Sequence, residues 1–156
     1  MHMTTVSVWN SKMDHLSKEK RSWNMSRIRS TETKPEERVR KYLFSKGFRY
    51  RKNDKRLPGK PDIVLPKYRA VIFINGCFWH CHKGCGRANI PKSNLEYWKI
   101  KLENNVRRDH EEYQKLTDLG WNVLVVWECE LNKKVFPAAM EKLINNILLT
   151  ERGSKF

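Results

Sequence analysis

One short segment of the chain holds most of its potential metal ligands. Three cysteines and two histidines fall within residues 77–85, directly after an apolar run, and a further cysteine lies far downstream. Thiolate and imidazole groups suit Zn²⁺, and four protein ligands leave no open position for a water nucleophile. The segment therefore predicts a structural zinc that pins a loop rather than a metal that carries out a reaction.

The segment contains more candidate ligands than a tetrahedral site accepts. Six side chains compete for four positions, and spacing alone does not choose among them: Cys77, His80, Cys81, His82, Cys85 and Cys129. We favour Cys77, His82, Cys85 and Cys129 as the zinc ligands. The alternative interpretation is a reduced cytosolic protein whose thiols are simply buried.

Length and hydropathy favour a single globular domain in the cytosol. A chain of 156 residues with 39% hydrophobic content can bury one core. No apolar run approaches the ~20 residues of a membrane span, and the first residues lack the apolar stretch of a signal peptide. We expect a mobile N-terminal arm over residues 1–16, one domain over 17–150 and a tail over 151–156.

Positive charge is concentrated in the N-terminal half of the chain. The formal net charge is +15, and residues 17–60 carry sixteen Lys or Arg against five Asp or Glu, hence +11. Such a basic surface attracts a polyanion, and nucleic acid is the polyanion that fits a cytosolic chain of this size. Six tryptophans add planar side chains that can stack on bases. The alternative is a solvated face that only aids solubility.

Capping and periodicity predict four helices. Two residue pairs have the form of a capping box, Thr33 with Glu36 and Ser93 with Glu96. The second box would begin a long helix whose inner face is spaced at helical intervals: Leu95, Trp98, Leu102 and Val106. The expected helices cover residues 17–29, 34–46, about 93–120, and a C-terminal segment that begins near residue 137.

Apolar and alternating runs predict four strands. They cover residues 48–52, 63–65, 70–74 and 121–127, and the last two read as buried strands. With the helices, this order describes an α/β fold in which a mixed central sheet is flanked by helices on both faces.

A carboxylate stands where a predicted strand begins. Asp62 follows the turn at residues 57–61, where it can be exposed at a sheet edge and held rigidly. Such a carboxylate suits Mg²⁺, which keeps several waters for phosphodiester chemistry. The neighbouring strand ends at Ile74 and Asn75, so a backbone carbonyl there can give a second oxygen. Glu36 can add a carboxylate through water.

The remaining candidate residues each have two interpretations. His80 is either a general base that activates water or a zinc ligand. Phe78 and Trp79 are either plugs in the core or a wedge aimed at a base stack. Asp62 and Glu36 have ordinary explanations too, as a turn cap and as a capping-box partner.

At these motifs the chain resembles the very-short-patch repair endonucleases, the Vsr family of mismatch-specific DNA nicking enzymes. The similarity covers about four-fifths of the chain and is carried by residues 22–25, 57–62, 71–73, 76–80, 119–121 and 126–129. Its most specific part is the sequence Gly-Cys-Phe-Trp-His after an apolar strand.

The resemblance implies a restriction-endonuclease-like fold, a structural zinc and Mg²⁺-dependent chemistry. The implied reaction is a nick on the 5′ side of the thymine in a T:G mismatch, the lesion left when 5-methylcytosine deaminates. Asp62 would bind Mg²⁺ together with the backbone carbonyl of Ile74. His80 would be the general base, and Glu36 would support the site from the N-terminal helix.

The resemblance also assigns the metal loop and the DNA contacts. Zinc would take the four residues favoured above, and Met25, Phe78 and Trp79 fall on the family's intercalating residues. The basic residues expected to contact DNA are Lys20, Arg21, Arg27, Arg29 and Lys60.

The chain departs from the family pattern in the strand that leads into the zinc loop. Family members often carry Thr-His where this chain has Ile74 and Asn75. A backbone carbonyl from Ile74 can still serve, whereas Asn75 carries neither a proton nor a positive charge, so we expect it to act in catalysis only by hydrogen bonding and turnover to be slower. Cys81 and an extra residue before Cys85 also alter the loop, and Cys81 could substitute for His82 at zinc.

We expect a monomer in the bacterial cytoplasm, associated with the nucleoid, whose partner is double-stranded DNA with a T:G mismatch. The resemblance further implies a functional link to a cytosine-5 methyltransferase and to mismatch-repair proteins. Two other functions remain open. One is a catalytically weak or inactive DNA-binding module, and the other is a nuclease of the same fold with a different DNA target.

Overall fold

The computed structural model describes residues 17–27 and 31–153. Three predicted features lie outside these residues: the arm over 1–16, Arg29 and the end of the tail at 154–156. Arg21 and Met25 are described by their backbone only. Helix α1, Lys18–Ser26, confirms the short basic helix predicted near the N-terminus.

A four-stranded mixed sheet forms the centre of the fold, as the sequence predicts. The strands are β1 (Arg51–Lys52), β2 (Ile63–Leu65), β3 (Ala70–Asn75) and β4 (Asn122–Trp127), and they lie side by side in that order. The first three strands are antiparallel, whereas β3 and β4 are parallel. A parallel pair needs a long crossover, and helix α3, Leu95–Asp118, supplies it.

Two strand predictions need correction. The strand expected over residues 48–52 is reduced to Arg51–Lys52, because Phe48 instead buries its side chain in the core. The last strand was expected to be buried, yet five of its six residues are only half-buried. The reason is its position, since β4 lies at the edge of the sheet.

The two faces of the sheet are covered by different helices. Helices α2 (Lys34–Ser45) and α4 (Phe136–Gly153) cover the face that carries Ile63 and Ile72. Helix α3 covers the opposite face, which carries Val64, Val71 and Phe73. Alternation along each strand therefore separates two apolar clusters, as expected for a sheet buried on both sides.

The helix beginnings differ from each other in how they are capped. At α2 half of the predicted capping box is present, because the Thr33 hydroxyl oxygen accepts a hydrogen bond from the Glu36 backbone N–H at 3.4 Å. The Glu36 carboxylate accepts its backbone hydrogen bond from Glu32, one residue before the cap. At α3 the prediction is wrong: Asn94 precedes the first turn in a left-handed conformation, with φ +56°, and makes no side-chain cap bond. Ser93 therefore begins no capping box.

The predicted inner face of α3 is only partly correct. Leu102 is buried, but Leu95 and Val106 are exposed, because the helix contacts the sheet mainly through its C-terminal half, at Tyr113 and Leu116. No helix in the described part of the chain is both long enough and apolar enough to cross a lipid bilayer. Helix α4 begins beside Pro137, as predicted, and continues to Gly153.

Parallel pairing of β3 with β4 brings the ends of these strands together. Asn75 pairs with Trp127 as the last residues of the ladder. Two segments therefore leave the sheet side by side at the carboxyl ends of these strands. They are the cysteine-rich loop after β3 and a 3₁₀ turn at Glu128–Leu131 after β4. The candidate site is built at this end of the sheet.

Candidate functional site

Three thiol groups and one imidazole group meet at the carboxyl ends of β3 and β4. Cys77 and Cys129 each lie two residues beyond the pair formed by Asn75 and Trp127, so the strand register brings them together. His82 and Cys85 complete a group whose potential ligand atoms all lie within 4.8 Å of one another. These are the four residues favoured from the sequence, and His80 and Cys81 are not in the group.

The surroundings of this group suit a soft divalent cation. The His82 ring stacks on Trp127 with 4.1 Å between ring centres, and the His82 Nδ1 atom lies 3.4 Å from the Cys129 sulfur. Burial raises the pKa of Cys77 and raises that of Cys129 to about 12, with the neighbouring thiols adding to the rise for Cys129. A cation at the centre would reverse this effect, because it favours the thiolate form. Three thiols and one imidazole are a donor set that fits zinc.

Asp62 stands directly before β2. Its Oδ2 atom accepts a hydrogen bond from the backbone N–H of Ile74 at 2.7 Å, which fixes the carboxylate against β3. The pKa of Asp62 is raised to about 6, chiefly because burial penalises the charged carboxylate. The Glu36 carboxylate adds to the rise, while the Ile74 N–H opposes it. A buried carboxylate with a poorly compensated charge is a position that favours a bound cation.

His80 is held by a carboxylate that the sequence analysis did not identify. The His80 Nδ1 atom lies 2.5 Å from the Asp109 Oδ2 atom, and both side chains are largely buried. Because Nδ1 is engaged by Asp109, the other ring nitrogen, Nε2, is the one that can accept a proton. Of the two interpretations of His80, the general base is favoured, because His80 lies outside the group of four potential zinc ligands.

Asn75 also has a partner that the sequence analysis missed. The Asn75 Nδ2 atom donates a hydrogen bond to the Tyr113 hydroxyl oxygen at 2.8 Å, and Asn75 is only 4% exposed. The Tyr113 ring packs against Phe73, with ring centres 4.8 Å apart. Burial raises the pKa of Tyr113 to about 12, so this phenol keeps its proton.

A positional signal for Asp109 and Tyr113 does exist in the sequence. Both lie on the stripe of α3 that carries the buried Leu102 and Leu116. Asp109, Tyr113 and Leu116 follow Leu102 by seven, eleven and fourteen residues, which are helical intervals. A polar residue on a buried helical stripe needs a partner inside the protein. Reading the stripe through its polar members would have selected Asp109.

Glu36 is bonded at the beginning of α2. Its Oε2 atom accepts a hydrogen bond from the Glu32 backbone N–H at 2.8 Å, and its Oε1 atom accepts one from the Thr33 hydroxyl at 3.1 Å. Arg40 lies 3.5 Å from the same carboxylate. Glu36 therefore caps α2, and its charge also acts on Asp62.

Three aromatic rings form a cluster next to His80. Phe78 and Trp79 contact each other with ring centres 5.1 Å apart, and Trp98 from α3 lies 5.4 Å and 5.9 Å from them. The Asn105 side chain donates a hydrogen bond to the Trp79 carbonyl at 3.1 Å. All three rings remain partly exposed. Trp98 was expected only as an inward-facing helix residue, and the structure adds it to the aromatic pair.

The described basic residues that were expected to contact DNA lie on the surface. Lys20 and Arg27 are exposed on and beside α1, and the Arg27 guanidinium lies 4.5 Å from the centre of the Trp23 ring. Lys60 is exposed in the turn before Asp62. The same turn approaches α3 so closely that a Cβ atom on Gly59 would lie 3.0 Å from the Glu112 Cβ, and Gly59 has φ +70°. Glycine at this position therefore allows the turn to form against α3.

Comparison with known proteins identifies the class of enzyme. The family model for DNA mismatch endonuclease Vsr matches residues 13–87. A type II nicking enzyme of Neisseria meningitidis, V.NmeAIP, is 53% identical over 129 residues, which are 82% of this chain and 91% of that protein. The DNA mismatch endonuclease Vsr of Escherichia coli is 42% identical over 85% of this chain and 80% of its own length.

A third relative, the type II nicking enzyme V.XorIIP of Xanthomonas oryzae, is 47% identical over 86% of this chain and 96% of that protein. Similarity of this extent makes the chain a DNA endonuclease. It belongs to the DNA mismatch endonuclease Vsr family.

Proposed function

We propose that this chain nicks duplex DNA by hydrolysing the phosphodiester on the 5′ side of the thymine in a T:G mismatch. The observation that carries the proposal is that Asp62 and the pair formed by His80 and Asp109 lie at the carboxyl end of β3, beside the aromatic cluster. The substrate would be the lesion that deamination of 5-methylcytosine leaves.

Asp62 and the backbone carbonyl of Ile74 are the groups that would hold Mg²⁺. The fit rests on the buried carboxylate, whose charge lacks full compensation within the protein. When bound, Mg²⁺ supplies Lewis-acid polarisation of the phosphate and lowers the pKa of a water molecule. Glu36 contributes negative charge to the same place without giving up its capping bonds.

His80 is the group that would take the proton from the attacking water. Its Nε2 atom accepts the proton, while Asp109 fixes the orientation of the ring and stabilises the positive charge that the ring gains. The hydrogen bond between these two partly exposed side chains is charge-assisted, because the Asp109 carboxylate is negative.

The aromatic cluster supplies a way to open the base stack beside a mismatch. Phe78 and Trp79 would enter from one groove, and the contacts of Trp98 with both rings would support them. Met25 would act from the other groove. Phosphate contacts from Lys20, Arg21, Arg27, Arg29 and Lys60 would hold the duplex.

Zinc held by Cys77, His82, Cys85 and Cys129 would give this loop a fixed shape. The cation would join the loop after β3 to the turn after β4, so that His80 lies within a closed ring of covalent and coordinate bonds. The enzyme would act as a monomer at the bacterial nucleoid, in a pathway that serves a cytosine-5 methyltransferase and involves mismatch-repair proteins.

Nicking assays on a panel of labelled duplexes test the proposal. The panel holds T:G mismatches in varied flanking sequence together with matched duplexes, and the variants are Asp62→Ala and, as a matched control, the exposed Asp118→Ala. We expect Mg²⁺-dependent nicking 5′ of the mismatched thymine that is lost in Asp62→Ala and kept in Asp118→Ala. Binding without cleavage would instead support the non-catalytic module, and equal cleavage of matched duplexes would support a different target.

A further inference from the structure

Tyr113 places a hydroxyl group inside the candidate catalytic centre. Its oxygen accepts a hydrogen bond from the Asn75 side chain at 2.8 Å. Accepting that bond uses an oxygen lone pair and leaves the proton of the hydroxyl group available to donate. Within the described part of the chain, the bond from Asn75 is the hydrogen bond that the Tyr113 hydroxyl makes.

The hydroxyl is connected to both acids of the centre. Its partner Asn75 directly follows Ile74, whose backbone N–H binds the Asp62 carboxylate. Tyr113 follows Asp109 by one helical turn on the same stripe of α3. Electrostatic effects of the Asp109 and Asp62 carboxylates both reach the phenol, adding to the burial that raises the pKa of Tyr113 to about 12. The phenol is therefore a neutral donor situated near the carboxylate proposed to hold the metal and the carboxylate that orients His80.

Asn75 itself is badly placed to touch a substrate. The residue is buried, and its side-chain amide donates to Tyr113, in a position between the sheet and α3. An amide with such a contact restricts the rotation of the phenolic O–H, since one lone pair of the oxygen is occupied. Asn75 is therefore a positioning residue, and the group that it positions is the hydroxyl.

We propose that the Tyr113 hydroxyl, oriented by Asn75, donates a hydrogen bond to a non-bridging oxygen of the scissile phosphate. A phosphate that reaches Asp62 would bring its anionic oxygens towards this donor, because Asp62 and the hydroxyl are bonded to the adjacent residues Ile74 and Asn75. Anionic oxygens are stronger acceptors than neutral groups. The bond strengthens as negative charge grows on the phosphoryl oxygens in the transition state. The inference rests on the phosphodiester hydrolysis proposed above.

The test is the variant Tyr113→Phe, which keeps the ring against Phe73 and removes only the hydroxyl. The matched control is Tyr68→Phe, since the Tyr68 ring packs on Phe48 in the other apolar cluster. For each protein we would measure the single-turnover nicking rate with Mg²⁺, and the Kd for the mismatched duplex by fluorescence anisotropy without Mg²⁺. We expect Tyr113→Phe to nick about 10- to 100-fold more slowly with a Kd within about twofold of wild type, because the lost bond acts in the transition state.

Two results would overturn the inference while leaving the proposed function intact. One is a wild-type enzyme that nicks T:G duplexes and a Tyr113→Phe variant that nicks equally fast. The other is an equal loss in Tyr113→Phe and Tyr68→Phe, which would show a general effect on packing. Absence of nicking by the wild-type enzyme would instead contradict the proposed function itself.

A second variant tests the role of Asn75. Asn75→Ala keeps the hydroxyl but releases it from its partner, so we expect a smaller rate loss than in Tyr113→Phe. The double variant should be no slower than Tyr113→Phe alone, because the two residues act through one bond. Multiplicative losses in the double variant would contradict the assignment of Asn75 as a positioning residue for Tyr113.

Discussion

Asp62 should make the protein less stable at neutral pH, and Asp62→Asn should reveal by how much. The amide keeps an oxygen that can accept the hydrogen bond from Ile74, but it carries no charge. The pKa of Asp62 is raised from 3.8 to about 6, chiefly by burial. Because the folded-state pKa lies above the unfolded value, the stabilising contribution of this carboxyl is complete at low pH. It is lost as the pH rises through about 6.

The size of the effect follows from the gap between the two pKa values. At 1.36 kcal/mol per unit, the raised pKa of Asp62 costs about 3 kcal/mol at about pH 8, where the folded carboxyl is ionised. It costs about 1 kcal/mol at about pH 4.5, where the folded carboxyl is protonated and the unfolded one is mostly ionised. Asp62→Asn should therefore be more stable than wild type at pH 8, by up to about 3 kcal/mol, with a gain that shrinks by about 2 kcal/mol at pH 4.5. The variant should also lose nicking activity, since Asp62 is the proposed metal ligand.

Urea denaturation at both pH values measures this difference. The buffers omit Mg²⁺, which would bind Asp62, and also omit chelators, which would remove the proposed zinc. Asp54→Asn is the control of opposite sign, because hydrogen bonds from Arg56 lower the pKa of Asp54 to about 2, and this variant should show no gain at pH 8. An Asp62→Asn protein that is less stable than wild type at pH 8, or whose gain is the same at both pH values, would refute the reasoning from burial.

Three other substitutions examine the remaining parts of the site. Asp109→Asn removes the charge that holds His80 and should slow single-turnover nicking by about 10- to 100-fold, as expected for a charge-assisted bond worth ~1.5–3 kcal/mol. The control Asp118→Asn, on the same helix, should nick at the wild-type rate. Equal rates in the two variants would exclude a role for the Asp109 charge. Cys129→Ser should lower the zinc content measured by plasma mass spectrometry and lower the melting temperature, while Cys81→Ser should keep both; loss of zinc in Cys81→Ser would move the ligand set. Trp98→Ala should weaken binding to mismatched duplex more than to matched duplex in anisotropy titrations, and an equal loss on both would assign Trp98 to general packing.

Features that depend on neighbouring residues could be predicted from the sequence. The helix cap at Thr33, the apolar run of β3 and the position of Asp62 after a turn are all local signals, and the structure shows each of them. The local signal at Ser93 failed because the same four-residue pattern recurs where no side-chain cap forms. Strand length failed at residues 48–52, since an alternating pattern does not show whether Phe48 points into a sheet or into a core.

Features that depend on distant residues could not be predicted in the same way. Asp109, Tyr113 and Trp98 all lie on α3. Their partners His80, Asn75 and Trp79 lie 29, 38 and 19 positions earlier in the chain. On a helix rich in charged residues, these side chains look like members of a solvated face. Only the crossover of α3 over the sheet brings them to the site, and a single sequence does not specify where a helix crosses.

The end of β3 connects the proposed metal site to catalysis. In succession, the Ile74 N–H binds Asp62, the Asn75 amide binds Tyr113, and Cys77 belongs to the set of four potential zinc ligands. His80 follows within the same loop, where its backbone N–H donates to the Gly76 carbonyl at 3.2 Å. A cation bound by Cys77 and His82 would therefore fix both ends of the short segment that carries His80. Because catalytic contacts lose much of their effect when they shift by about 1 Å, removal of zinc should abolish nicking before it unfolds the protein. Parallel loss of activity and of secondary structure during zinc removal would show that the metal supports the fold as a whole and not the placement of His80.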